Sequence, residues 1–273
     1  MRKHPQGETY KKIFFFLFAA VMTACFISCI NEYEYTIETT YGPITYIGTK
    51  KPNETRTVGD IVFTDGSATP YSATLTLTDD QKEKAIAVIY KVDSSHSYGV
   101  GLVQASQKEW CLNTAKGYKK IDAIVCTPSG SSGNYTFDSN ADTNGSDNLL
   151  QIGTAILSPT VSDDTETADN YPAFYFAKNY KDQTNSHVSG TRYETGWYLP
   201  TVSELNDIRA ARDTVNSAFG KCGGTVISDS GYWSSSQASD TDNSAYTLNF
   251  DNSTISTALK TANTKATLCI RQF

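Results

Sequence analysis

Residues that could act as acids, bases or nucleophiles are few and scattered in this sequence. Beyond the apolar N-terminal segment only two histidines occur, His96 and His187, and each stands alone in a polar stretch. Ser203 and Ser235 lack the strand–turn–helix context that exposes a nucleophilic serine. Acid–base and nucleophilic catalysis need such groups within hydrogen-bonding reach of one another. We therefore predict no catalytic residues and expect that the protein is not an enzyme.

The Asp, Asn and Cys side chains that could bind a metal form no complete site either. Asn140, Asp142, Asn144 and Gly145 match part of a calcium-binding loop, but the glutamate that should close such a loop is missing. Asp and Asn also form Asx-turns without a metal, which favours an ordinary loop. The cysteines beyond residue 29 include no CxxC pair, which argues against zinc. The sequence thus predicts no metal site and no cofactor.

Short, uncharged polar side chains are concentrated between Ala238 and Thr264, where they suit hydrogen bonding to a partner. The stretch Tyr246–Phe250 alternates like a strand, so Thr247 should point away from the core. Trp233 is expected in the core, whereas Tyr232 could be a core residue or a contact residue. The predicted ligand-binding residues are Asp240, Asp242, Asn243, Thr247, Asp251, Thr254, Ser256, Thr257, Thr261 and Asn263.

Composition and charge narrow the class of partner. The 273 residues include 17 tyrosines, only 19% are charged, and the net charge is −6. Tyr and small polar residues are common in contact surfaces, although an exported β-rich protein would also contain many of them. No stripe of Lys and Arg is available to neutralise phosphates, so we exclude nucleic acid as a partner.

The N-terminus has the pattern of an export signal. Arg2, Lys3, Lys11 and Lys12 precede an apolar run from Ile13, and small residues lead to a cysteine. The tetrapeptide 26–29 resembles a relaxed lipobox, which predicts lipidation at Cys29; a frame ending at Cys25 and a plain signal anchor are the alternatives. We expect a tether from residue 29 to about 57, unless Ile44–Ile47 supplies a docked strand.

Four cysteines remain after the signal: Cys111, Cys126, Cys222 and Cys269. An even number in an exported chain predicts one or two disulfides, with three full connectivities open.

Elements in the first half of the chain are predicted from caps and periodicity. Asp60–Thr64 is a strand closed by an Asp-Gly turn, and Thr78 with Gln81 forms a capping box for a helix from Asp79 to about Lys84. The further predictions are a β-branched strand over 85–92, a strand at 101–103, an amphipathic helix near 106–116 with Trp110 and Cys111 inside, and a loop over 128–148.

The second half has the clearest helix signal. Thr201 and Glu204 form a capping box after Pro200, apolar residues follow at helical spacing to Phe219, and Gly220 stands where a C′ residue should. We also predict a helix over 171–180 and a closing strand at 268–270, with Trp197 and Leu199 in the core. The acidic stretch 163–166 is expected to be a solvated loop. Helices mixed with short antiparallel strands indicate an α+β fold.

Several of these segments together resemble a known group of proteins. The stretches are Gly196-Trp197-Tyr198-Leu199-Pro200 with Glu204-Leu205, then Tyr232-Trp233-Ser234-Ser235-Ser236-Gln237, and Asn249-Phe250 with Lys260 and Ile270-Arg271-Gln272-Phe273. They resemble the bacterial lipoproteins that have a C-type-lectin fold of the formylglycine-generating-enzyme type. Within that group the chain is similar to variable proteins diversified by retroelements.

The resemblance implies a C-type-lectin-like domain over 58–273, after a signal peptide at 1–28 and a tether at 29–57. It implies a monomeric lipoprotein of the bacterial outer membrane or cell surface that binds a protein or glycan. In such proteins variation enters at adenines, and Lys260 is the only residue from Ala238 to Thr264 outside the set reachable from an AAC codon. The alternatives are a sugar-binding lectin and, less favoured, an enzyme using a metal-bound thiol pair that this sequence does not supply.

Overall fold

The structure, a computed structural model, describes residues 45–138, 142–148, 150–152, 170–228, 230–238 and 242–273. These residues combine helices with antiparallel sheets, so the fold class is α+β, as the sequence predicts. Within the described ranges, no helix is both long enough and apolar enough to cross a membrane.

Three helices lie wholly within the described residues, α1 (Asp79–Lys84), α2 (Pro172–Lys178) and α3 (Val202–Cys222), with short 3₁₀ turns at Lys116–Tyr118, Asp122–Ile124, Gly145–Asp147 and Tyr180–Asp182. The strands are β1 (Ile61–Phe63), β2 (Ala68–Thr69), β3 (Ala85–Val92), β4 (Ser97–Gly101), β5 (Ala105–Lys108), β6 (Pro128–Ser131), β7 (Asn134–Phe137), β8 (Trp197–Tyr198), β9 (Gly231–Gln237), β10 (Ser244–Asn249), β11 (Thr254–Leu259), β12 (Lys265–Thr267) and β13 (Ile270–Gln272).

The first sheet has the strand order β2-β1-β3-β4-β13-β8. Its long strand β3 is the predicted apolar run 85–92, and its first six residues are buried. Capping of α1 by Thr78 and Gln81 is also confirmed, with both hydrogen bonds of the capping box present. The strand expected at 101–103 lies earlier, as β4, because Gly99 and Val100 pair with both β3 and β13.

Helix α3 packs its apolar face on the first sheet. Leu205, Ile208, Val215 and Phe219 are fully buried, as their spacing predicts. The predicted capping box is present, with the Thr201 hydroxyl accepting from Glu204 N and the Glu204 carboxylate accepting from Thr201 N. The helix ends later than expected, because Gly223 and not Gly220 adopts the left-handed conformation of the cap, with φ +78°.

The second sheet has the order β11-β10-β9-β12-β5 and places the predicted contact region at one side of the domain. Strand β10 pairs with β9 and β11 antiparallel, and β9 pairs with β12 parallel. Trp233 is buried in the core as predicted, and Tyr232 is also buried at 1% exposure, which decides between its two interpretations.

Three predictions, for one helix, one loop and one strand, differ from the structure. Residues 106–116 form no helix; β5 covers 105–108 and an irregular segment follows, although Trp110 and Cys111 are fully buried. The predicted loop 128–148 contains the β6–β7 hairpin. The closing strand begins at Ile270, so Leu268 and Cys269 lie before it.

The predicted domain boundary near residue 57 lies too late in the chain, because the compact unit begins at Tyr46. Ile47 N donates to Asp65 Oδ2 at 3.0 Å, and Lys50 forms an isolated bridge with Ala68. Arg56 donates to Gly66 O at 2.9 Å. Residues 46–57 therefore belong to the domain.

The disulfide prediction is wrong as well. Cys111, Cys126, Cys222 and Cys269 are all buried thiols that no disulfide joins. Each fills core volume as a small apolar side chain, and burial raises the pKa of Cys126 and of Cys222 to about 12.

Candidate binding surface

The ten predicted ligand-binding residues do not form one face. Asp240 lies outside the described residues, as do the predicted lipidation site Cys29 and the predicted loop 163–166. The other nine are distributed along the β10–β11 hairpin and the turns at its two ends. One group lies at its open end, where the two strands enter and leave the sheet. A second group lies near the tip, and strand β10 separates the two by about 17 Å, at about 3.4 Å per residue.

Thr247 is not a contact residue. It is 1% exposed, and its hydroxyl lies 3.2 Å from Ser256 Oγ and 3.3 Å from Ser256 O. The strand pattern suggested one wet face, but β10 is covered on both faces: Ala245 belongs to one hydrophobic cluster and Leu248 to the other. Both faces of β10 are therefore buried, so the Thr247 side chain does not reach solvent on either of them.

Strand β11 is the outer strand of its sheet, and alternation divides its predicted residues between two faces. Thr254 and Ser256 lie on one face and Thr257 on the other, with Ser256 and Thr257 exposed. Near the tip, Ile255 N donates to Tyr135 OH, so the β6–β7 hairpin covers part of the strand's outer edge. Asp251 is exposed at the tip itself.

The open end of the hairpin groups four of the predicted residues: Asp242, Asn243, Thr261 and Asn263. Lys260 N donates to Asn243 O at 2.9 Å, which joins the segments that enter and leave the hairpin. Asn243 Nδ2 donates to Tyr118 OH at 3.3 Å, which adds a half-buried aromatic side chain from another segment. We call these four residues and Tyr118 the Lys260 surface. Asp242 and Asn263 are its exposed members.

Lys260 organises this surface from beneath. Its side chain is fully buried, and Nζ donates to Gly117 O at 2.6 Å, Lys119 O at 3.0 Å, Gln237 Oε1 at 3.0 Å and Asp242 O at 3.1 Å. The ammonium also lies 4.6 Å from the centre of the Trp110 ring, a cation–π distance. Burial lowers the pKa of Lys260 to about 8. One side chain thus fixes the 117–119 segment, the turn before β10 and strand β9 relative to one another.

In the sequence analysis, Lys260 appears only as the exception among residues reachable from an AAC codon. A better signal was present, because Lys260 is the sole cation among the 22 residues from Asn243 to Thr264. A single lysine among short polar residues is a candidate for a buried cation, because a buried ammonium must find hydrogen-bond acceptors and such residues supply them.

A cleft adjoins the Lys260 surface on the side of Tyr118. Its volume is about 480 Å³, and it is lined by the 113–120 segment, including Tyr118 and Lys119. The carbonyls of Gly117 and Lys119 that bind the ammonium belong to the same segment, so the wall of the cleft is held by Lys260.

The partial calcium motif is used for internal hydrogen bonds in the structure. Asp142 Oδ2 accepts from Asn148 Nδ2 at 2.6 Å, and burial raises the pKa of Asp142 to about 6. Asn144 Oδ1 accepts from Ser146 N, and Gly145 N donates to Glu204 Oε2 at 3.1 Å. Asn140 lies outside the described residues. Within those residues, no group of three His, Cys, Asp or Glu could hold a metal ion.

The four residues considered for catalysis lie in separate segments, and three of them have other polar neighbours. His187 Nδ1 lies 2.9 Å from Ala85 O, and His96 lies beside Asp93 in an exposed turn. Ser235 is fully buried and accepts from Asn148 Nδ2 at 2.7 Å. Ser203 is half-buried on α3. The structure brings no two of these four residues into contact.

Comparisons with known proteins add little. The chain matches none of the known protein families, and it has no significant match among curated proteins. A fimbrial protein from Bacteroides ovatus ATCC 8483 is structurally similar with a TM-score of 0.47 at 15% identity; the match covers 80% of this chain and 48% of the fimbrial protein. The chain thus spans about half the length of that protein. A similarity at this level supports no conclusion about function.

Proposed function

We propose that the protein is a lipid-anchored binding module of the bacterial cell surface, and that the Lys260 surface contacts its protein or glycan partner. The N-terminal sequence supports the anchor, since a basic segment and an apolar run lead to Cys29. The polar character of the contact residues supports binding, because short amide and hydroxyl side chains hydrogen-bond adaptably. The C-type-lectin resemblance is consistent with such a module, and it stays a prediction.

One observation carries the proposal: four acceptors lie within hydrogen-bonding distance of the buried Lys260 ammonium, which suffices for all three of its N–H groups. A buried ammonium is costly unless its hydrogen bonds are satisfied, so the arrangement of its three segments is fixed before any partner arrives. Binding to a preorganised surface loses less conformational entropy than binding to mobile loops. Tyr118 adds a side chain with large area and few rotatable bonds, which suits an anchor.

Cells that display the full chain, incubated with arrays of glycans and of purified extracellular proteins, test the proposal. The wild type should bind a member of one array. A variant with Asp242, Asn243 and Asn263 changed to alanine should lose that binding while its melting temperature stays within about 4 °C of wild type, because Asp242 and Asn263 are exposed and Asn243 loses a single side-chain hydrogen bond, to Tyr118. If the triple variant binds as well as wild type, the Lys260 surface is not the contact site.

The same experiment separates the two classes of partner. Binding confined to the glycan array would favour the lectin alternative, and binding confined to proteins would favour a receptor-like module. Diversification by a retroelement is tested by the neighbouring genes, where a reverse transcriptase and a near-copy of the 3′ end are expected.

A further inference from the structure

A cluster of arginines lies near the end of strand β13, and none of its residues belongs to the Lys260 surface. Two arginines lie near one buried ring: the guanidinium carbons of Arg192 and Arg271 are 5.1 Å and 4.8 Å from the centre of the Tyr193 ring. Arg271 is also 5.2 Å from the Phe273 ring, and Arg56 is 5.6 Å from it. We call these five residues the arginine cluster. Its two rings are in contact, with centres 5.5 Å apart.

Backbone carbonyls hold two of these guanidinium groups in place. Arg271 Nε donates to Thr195 O and Nη1 to Gln272 O, both at 2.8 Å. Arg192 Nη2 donates to Asp65 O at 3.0 Å. These bonds leave other N–H groups of both arginines for a ligand, because a guanidinium has five.

Two glycines make room for the arginines. A Cβ on Gly66 would collide with Arg192 Nη2 and with the Tyr193 hydroxyl, and one on Gly196 would lie 3.2 Å from Arg271 Nε. Both glycines also have positive φ, +87° and +86°. The arginines therefore pack closely against two backbone positions that favour glycine.

No carboxylate of the described residues forms an ion pair with the cluster. Among the ion pairs within the described ranges, none involves Arg56, Arg192 or Arg271. The nearby acids have other partners: Asp65 accepts from Ile47 N and Ser67, and Glu194 accepts from Gly190 N. Burial lowers the pKa of Arg56 and of Arg271; Tyr193, and for Arg56 also Asp60, opposes this effect, and the like charge of Arg192 adds to it. Three cations thus lie together in a protein whose net charge is −6.

We propose that Arg192 and Arg271, at the Tyr193 end of the arginine cluster, bind an oxyanion group: a phosphate, a sulfate or a carboxylate. Guanidinium groups pair with such groups through short, charge-assisted hydrogen bonds. The Tyr193 end suits the ligand better than the opposite end. At the opposite end, a cleft of about 240 Å³ is lined by one arginine of the cluster, Arg56, whereas two guanidinium groups lie beside the Tyr193 ring.

Thermal unfolding of the full chain tests this site. Sodium phosphate, glucose 6-sulfate and sodium glucuronate are titrated against sodium chloride at equal ionic strength. At least one oxyanion should raise the unfolding midpoint along a saturating curve, as a ligand specific for the folded state does. Saturation by phosphate or glucose 6-sulfate assigns a tetrahedral oxyanion, and saturation by glucuronate assigns a carboxylate.

Three variants distinguish specific oxyanion binding from general salt effects, because a general salt effect acts alike on the wild type and on every variant. In Arg192→Gln and Arg271→Gln the apparent dissociation constant should weaken at least about tenfold, since each loses a charge-assisted hydrogen bond. Arg212→Gln is the matched control, because Arg212 also lies near a ring, 5.9 Å from Phe250, and should titrate as wild type does. Arg192 is exposed, so its variant should fold even if Arg271→Gln does not.

Two results would overturn the proposal. In the first, no oxyanion raises the unfolding midpoint of the wild type more than chloride does, or the oxyanions raise the midpoint of Arg192→Gln as much as that of the wild type. In the second, Arg212→Gln weakens the titration as much as Arg192→Gln does. The Lys260 surface is untouched by these variants, so either result leaves the proposed function standing.

Discussion

Replacing Glu204 with glutamine should change how the stability of the domain depends on pH. Glu204 is 4% exposed at the start of α3. Its Oε2 accepts from Thr201 N at 2.9 Å and from Gly145 N at 3.1 Å, and its Oε1 accepts from Tyr198 OH at 3.0 Å. Despite these donors, burial raises the pKa of Glu204 to about 7. The folded state therefore retains a proton that the unfolded chain has already released.

The size and sign of the effect follow from the two pKa values. The pKa is 4.5 in the reference state and about 7 in the fold, a difference of about 2.5 units. At about 1.4 kcal/mol per unit, protonation of Glu204 contributes about 3 kcal/mol of stability. Because the folded pKa is raised, this contribution is fully present below pH 4.5 and is lost as the pH rises through 7.

Urea denaturation between pH 5 and pH 8, followed by tryptophan fluorescence, measures the effect. Glutamine mimics the protonated acid, so Glu204→Gln should match wild type within about 1 kcal/mol at pH 5 and exceed it by about 2 kcal/mol or more at pH 8. The difference between the two proteins cancels the contribution of Asp142, whose pKa is also raised. Parallel curves across this range would refute the reasoning, because Glu204 would then have an ordinary pKa.

Three further outcomes are expected. Gly66→Ala should lower the unfolding free energy by about 2 kcal/mol or more in the same urea assay, because φ is +87° and the new methyl group would collide with Arg192 and Tyr193; a cost below about 0.5 kcal/mol would mean that the arginine moves aside freely. A thiol reagent should leave the four core cysteines of the native protein unmodified, and a reducing agent should leave the melting temperature unchanged, because these cysteines are buried thiols; a large fall in melting temperature on reduction would reveal a disulfide. Cys29→Ala should abolish incorporation of labelled fatty acid and release the chain from the membrane fraction, and retained label would point to Cys25 instead.

The predicted capping boxes and the apolar face of α3 are confirmed because these signals depend only on residues close together in the sequence. A capping box needs only the residues from Thr201 to Glu204, and the apolar face of α3 is read from spacing alone. The same holds for Thr78 and α1. The strand 85–92 is equally clear, because its first six residues are all apolar, with Ile86, Val88 and Ile89 β-branched, which fits a strand buried on both faces.

The failures have non-local causes. Residues near Trp110 have helical spacing, but Trp110 Nε1 donates to Ser234 O, 124 residues away, and Trp110 N donates to Lys260 O. Pairing of β5 with β12 completes the sheet there, and this overrides local propensity. Thr247 was misjudged because the pattern of one strand cannot show that a second core covers its other face.

The candidate site was found only in part for the same reason. Composition located the polar region, but it could not tell the open end of the hairpin from the tip. That distinction depends on Lys260, whose four acceptors come from residues up to 143 positions away. Likewise, the arginine cluster joins Arg56, Arg192 and Arg271, which no sequence pattern connects.

The most direct test of the proposed contact surface compares single substitutions at the two ends of the β10–β11 hairpin. With the partner identified on the arrays, its dissociation constant is measured for Asn243→Ala and for Asp251→Ala. Asn243 belongs to the Lys260 surface, whereas Asp251 is exposed at the tip. We predict about tenfold or greater weakening for Asn243→Ala and less than about twofold for Asp251→Ala. The opposite order would place the contact at the hairpin tip and contradict the account.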